Sequence, residues 1–123
     1  GHAVDYVRAM WMMLQHETPD DYVVATGKTH SVREFLDTVF DIAGLDTDRH
    51  VKIDERLFRP HEVPLLLGDA SKIRDTLGWE PKYDMKSLAS DMYFSDWHNV
   101  ETLCKASGKN IPVFAYSHPK NFK

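Results

Sequence analysis

The chain has 123 residues, 42% hydrophobic and 28% charged, with a formal net charge of -4, which suits one soluble globular core and gives no basic footprint for nucleic acid. No apolar run approaches the roughly 18 residues that a membrane span needs, and no basic region precedes an apolar one at the N-terminus. The single cysteine, Cys104, cannot close an intramolecular disulfide, which fits a reducing compartment, so a cytoplasmic location is expected.

In chain order, Val4, Val7, Trp11 and Leu14 recur at three- and four-residue spacing. The pattern predicts a helix over 4–16 that buries this stripe, widened by Met10, Met12 and Met13. Thr18-Pro19-Asp20-Asp21 ends it as a turn. Tyr22-Val23-Val24-Ala25-Thr26 is short, apolar and β-branched, the composition of a buried strand. Gly27-Lys28-Thr29 resembles the end of a phosphate-binding loop. That motif needs a glycine five positions earlier, and Tyr22 stands there, so a nucleoside triphosphatase is excluded.

Ser31-Val32-Arg33-Glu34 forms a capping box ahead of Val32, Phe35, Leu36, Val39, Phe40 and Ala43, the cleanest helical stripe in the chain. Gly44 closes that helix, which is read as a core element. Residues 46–49 are expected as a polar loop and Val51-Lys52-Ile53-Asp54 as a half-buried strand.

The next segment, Phe58-Arg59-Pro60-His61-Glu62-Val63, is stiff. Pro60 fixes its own φ and biases Arg59 towards an extended conformation, holding the guanidinium and the Glu62 carboxylate in a defined relation. A guanidinium grips phosphate oxygens bidentately and a carboxylate accepts from sugar hydroxyls, so Arg59 and Glu62 could clamp a nucleoside diphosphate. The residues alone favour the plainer reading, a surface ion pair on a connecting loop. Further on, Asp69 or Ser71 is expected to cap a short helix with Ile73 and Leu77 facing inward and Gly78 at its end. Trp79, expected as a lid on the core, precedes the break at Pro81. Asp84 then caps a helix over about 85–105 with Leu88, Met92, Val100 and Leu103 among its apolar positions. The segment 108–123 reads as a tail, loose or docked. Two short strands and about four helices predict an α/β or α+β piece with a small sheet, whose edges would need covering by more protein.

Sites for other chemistry do not emerge. The seven histidines form no metal-ligand spacing, so no metal is expected. No nucleophile elbow is present, and Cys104 lies far from any evident base. Tyr116 and Lys120 have the spacing of a dehydrogenase pair, but Pro119 between them forbids the helical turn that would align them. A glycine-rich dinucleotide fingerprint is absent.

Several stretches, in register, carry a resemblance. They are Gly1-His2-Ala3-x-Asp5-Tyr6-Val7, Ala9-Met10-Trp11-x-Met13-Leu14-Gln15, Pro19 to Gly27, His30 to Phe35, Phe58-Arg59-Pro60-x-Glu62-Val63, Leu67 to Lys72 and Leu77-Gly78-Trp79-x-Pro81. Over about residues 1–100 they resemble the C-terminal third of the GDP-mannose 4,6-dehydratase family, a branch of the extended short-chain dehydrogenase/reductases. The resemblance implies residues 1–107 as a substrate-binding portion, with Arg59 on the diphosphate and Glu62 on sugar hydroxyls, most simply the ribose. It also implies a separate NADP-binding Rossmann half, homo-oligomers of the complete enzyme, and conversion of GDP-mannose to GDP-4-keto-6-deoxymannose on the way to GDP-fucose. In that reaction the C4 hydroxyl is oxidised by hydride transfer to NADP, water is eliminated across C5 and C6, and the hydride returns to C6. The family's glycine-rich loop and its Thr/Glu and Tyr/Lys catalytic groups correspond to positions before residue 1, so this chain alone is expected neither to bind NADP nor to turn over. Two rival readings are an inactive stand-alone binding or interaction module and a portion of another nucleotide-sugar epimerase or dehydratase.

Overall fold

The computed structural model describes residues 1–59, 63 and 65–110. Five α-helices occur among them: α1 (Ala3–Gln15), α2 (Val32–Ala43), α3 (Thr47–His50), α4 (Ser71–Leu77) and α5 (Met85–Ser107), with a 3-10 turn at Glu55–Leu57. The described residues divide into two compact units, one within Gly1–His30 with Glu55–Leu88 and the other of Ser31–Asp54 with 89–110; beyond 110 the expected tail lies outside the described residues. None of the helices among the described residues is long and apolar enough to cross a membrane.

The expected small sheet is not formed, which corrects the α/β assignment: no strand occurs among the described residues, and the architecture there is helical. Residues 22–26 and 65–68 are non-helical and come close, since the Thr29 hydroxyl donates to the Leu66 carbonyl at 2.7 Å. They share no strand ladder. Strand propensity reports how a residue packs on a pleated, half-buried surface, and a pair of short segments without further partners cannot supply that surface. Val23 is accordingly 56% exposed and Ile53 in the second expected strand 78% exposed. Residues 47–50, expected as loop, wind into α3 because the Asp46 carboxylate accepts from the Asp48 amide at 3.0 Å and caps the turn.

In the first unit the core is Ala9, Ile73 and Trp79, with Met12, Met13, Tyr22, Val24, Ala70 and Leu77 packed against it. Trp79 is therefore the centre of this core and not its lid. The face of α1 that enters it is only partly the expected one, for Met12 and Met13 of the expected stripe do pack on the core. Ala9, Met12 and Met13 point inward, whereas Val4, Val7, Trp11 and Leu14 lie on the surface. His2 starts α1, its Nδ1 accepting from the Val4 amide at 3.1 Å, and its ring stacks on Tyr83 with centroids 4.0 Å apart. The end of α4 follows expectation: Ile73 is fully buried and Gly78 adopts φ 67° as the left-handed stop.

In the second unit the capping box is closed in both directions, Glu34 N donating to Ser31 Oγ at 3.1 Å and Ser31 N to Glu34 Oε2 at 2.6 Å. Gly44, at φ 67°, ends α2 while the Leu45 amide reaches back to the Phe40 carbonyl at 2.8 Å. Arg33 ties α2 to α3, contacting Asp37 at 3.0 Å and Asp48 at 2.6 Å. The Thr47 hydroxyl and then the Arg33 guanidinium hold the Asp37 carboxyl below the usual carboxylate range. The stripe of α2 is only half-buried, with Ala43 inside and Val32 77% exposed. On α5 the buried position is Ala89, and the apolar Met92, Val100 and Leu103 are exposed.

Candidate functional site

Arg59 follows the turn Glu55–Leu57, which the Phe58 amide closes onto the Glu55 carbonyl at 3.1 Å, and it is exposed. Phe58 before it and Val63 after it are exposed as well, at 67% and 61%. A charged side chain presented on a stretch of this kind can reach a ligand from solvent. Pro60, His61, Glu62 and Pro64 lie outside the described residues, so the expected pairing of Arg59 with Glu62 is described on the arginine side only.

Within the first unit a cleft of about 500 Å³ is lined by residues 25–27, 67–70, 74 and 79–81. One wall depends on a missing Cβ. A methyl group at Gly68 would stand 2.6 Å from the Ala25 Cβ, far inside the contact distance of two carbons. Because a Cβ is fixed by the backbone, the clash cannot be relieved by turning a side chain. Gly68→Ala should cost about 1–3 kcal/mol, seen as a lower urea midpoint with an unchanged m-value. A neutral substitution there would mean that the two segments part easily.

The polar groups of the cleft are held from below. Asp69 Oδ1 accepts from the Ser71 hydroxyl at 2.6 Å and the Ser71 amide at 2.9 Å, and these two bonds pull the Asp69 carboxyl below its ordinary range. Arg74 Nη2 donates to Ser71 Oγ at 3.1 Å. The segment carrying Trp79, Glu80 and Pro81 is stapled to α1: Trp79 Nε1 donates to the Asp5 carbonyl at 2.9 Å, the Arg8 guanidinium donates to the Glu80 carbonyl, and Asp5 Oδ2 accepts from the Lys82 and Tyr83 amides at 2.9 and 3.0 Å. Asp5 is 2% exposed. Its role was not signalled by periodicity, because an acid in a first helical turn ordinarily faces solvent and favours the positive end of the dipole.

Chemically, the cleft offers a guanidinium, two carboxylates and a glycine-lined backbone edge, groups that can hold a polar ligand by hydrogen bonds. Among the described residues no group of three histidine, cysteine or acidic side chains is placed to hold a metal ion. Cys104 is a half-buried free thiol on α5. A dinucleotide site needs a glycine-rich turn leading into a helix, and the positive-φ glycines are Gly27, Gly44, Gly78 and Gly108, each isolated in the sequence.

The first unit thus carries an exposed arginine and a polar cleft on its non-helical segments. The family profile for GDP-mannose 4,6 dehydratase matches residues 1–92, and the chain belongs to that family. It is 55% identical over 96 residues to GDP-mannose 4,6 dehydratase 1 of Arabidopsis thaliana, covering 78% of this chain and 27% of the relative. To GDP-mannose 4,6 dehydratase of Drosophila melanogaster it is 48% identical over 113 residues, covering 78% of this chain and 29% of that protein. With GDP-mannose 4,6-dehydratase of Vibrio cholerae it shares 37% identity over 142 residues, covering 92% of this chain and 38% of the relative. The chain thus spans between about a quarter and two fifths of the length of these relatives.

Proposed function

We propose that this chain is the GDP-sugar-binding portion of a GDP-mannose 4,6-dehydratase, with Arg59 gripping the diphosphate and Glu62 accepting from sugar hydroxyls, most simply those of the ribose. The observation that carries the reading is the family match through residues 1–92, a range that contains both positions. The exposure of Arg59 supports it, since a guanidinium must be reachable to take two phosphate oxygens from water. The complete enzyme converts GDP-mannose to GDP-4-keto-6-deoxymannose, the precursor of GDP-fucose, in the cytosol. Its NADP and its catalytic side chains belong to the part of the family fold outside these residues, and this portion contributes binding and orientation. Orientation is a large share of catalysis, because a substrate held in a near-attack geometry has already lost the freedom that would otherwise oppose reaction.

The test is a chimaera in which this chain replaces the matching residues of the Arabidopsis relative. It should bind GDP and turn over GDP-mannose. Arg59→Ala should weaken GDP binding about tenfold or more through the lost charge-assisted phosphate contact, and Glu62→Gln should weaken GDP more than inorganic pyrophosphate, which has no ribose. An Arg59→Ala chimaera with unaltered GDP affinity would return the pair to an ordinary surface contact.

A further inference from the structure

Helix α1 is apolar on two opposite sides. At about 100° per residue, Ala9, Met12 and Met13, which pack on the core of the first unit, lie roughly half a revolution from Val4, Val7, Met10, Trp11 and Leu14. Those five are 58, 63, 58, 60 and 81% exposed. The charged residues of α1 are Asp5 and Arg8, and both are engaged with residues 79–83. The outward face has no charge with which to meet water. A helix apolar all round is an interior helix, and a contiguous apolar patch on a surface marks a contact with something else.

The lengths indicate the occupant. This chain covers 27% of the Arabidopsis relative and 29% of the Drosophila one, so about seven tenths of a family member lies outside the match. We infer that the Val4–Leu14 face of α1 is the seat on which that remaining part of a dehydratase docks, with Trp11 as the central anchor. The inference rests on the dehydratase reading above and adds the surface through which the two parts meet. A lipid surface fits less well, because an interfacial helix pairs its apolar face with a face rich in lysine and arginine, and the opposite side of α1 is packed against protein.

The test co-expresses this chain with the rest of the Arabidopsis relative and measures the complex by sedimentation. A one-to-one complex is expected, weakened at least tenfold by Trp11→Lys and by Val7→Lys, as for substitutions at the centre of an interface. Both positions are exposed in this chain, so its own circular dichroism and melting temperature should not change. A second measurement covers failure of the separated part to fold: Trp11→Lys in the full-length chimaera should lower the melting temperature by roughly 5–10 °C. Equal complex affinity for wild type and variants, or a chimaera whose melting is unmoved, overturns the inference. So does a dimer of this chain, or binding to anionic vesicles, that Trp11→Lys abolishes. GDP affinity separates the two proposals. Failed docking with GDP still bound in an Arg59-dependent way removes the docking face alone, whereas intact docking with no GDP binding removes the substrate reading alone.

Discussion

Trp79→Ala should destabilise the chain by about 4 kcal/mol, the range found for emptying a large aromatic site in a core. The ring is 1% exposed and sits among Ala9, Ile73, Met12, Met13 and Leu77, drawn from α1, α4 and their flanks. Truncation removes the largest side chain of this cluster and leaves the Asp5 carbonyl without the indole donor that bonds it at 2.9 Å. The core is small, so there is little other apolar material to close around the gap. Trp79→Phe separates the two contributions: it keeps much of the volume and loses the hydrogen bond, and should cost about 1–2 kcal/mol. Urea unfolding followed by far-UV circular dichroism measures both, and an alanine variant within 1 kcal/mol of wild type would show that Trp79 is not the keystone of this unit.

Asp5→Ala should cost about 3 kcal/mol. One carboxylate oxygen receives two backbone amides, those of Lys82 and Tyr83, and the other lies 3.9 Å from the Arg8 guanidinium. Removing the acid leaves those amides without this acceptor in a partly buried place, and an unpaired buried donor costs about 1–3 kcal/mol. Since both amides use the same oxygen, Asp5→Asn retains an acceptor for them and should cost only about 1 kcal/mol. The contrast is the diagnostic result: equal losses in the two variants would mean that the charge near Arg8, and not the double acceptance, matters. The same substitution should loosen the wall of the cleft formed by residues 79–81, since Asp5 and Arg8 hold that segment against α1.

Some of this could be read directly from the chain. Ser31 and Glu34, Gly44, Gly78 and Asp84 act where expected, because caps are made between residues two to four positions apart and need no tertiary partner. Asp84 Oδ1, for example, accepts from the Ser87 amide at 2.8 Å and begins α5. The strands could not be read in the same way. Tyr22 to Thr26 has a strand's composition, yet a ladder also requires a second segment at the right distance and register, and that condition lies outside the segment itself. The proposed nucleotide-sugar clamp rests on the sequence: the order Arg59-Pro60-x-Glu62 suggests it through chemistry alone, and Glu62 lies outside the described residues. The cleft left no motif, because its lining is collected from four separated stretches.

Helix α1 shows where the boundary falls. Its start, its length and its family were settled by the order of residues, for these follow from local backbone bonding and from matched side chains in register. Which of its two apolar sides turns inward was settled only in three dimensions, by Trp79 arriving 74 positions further along to meet Asp5. Periodicity marks a stripe as apolar, but burial depends on what the rest of the chain brings to it.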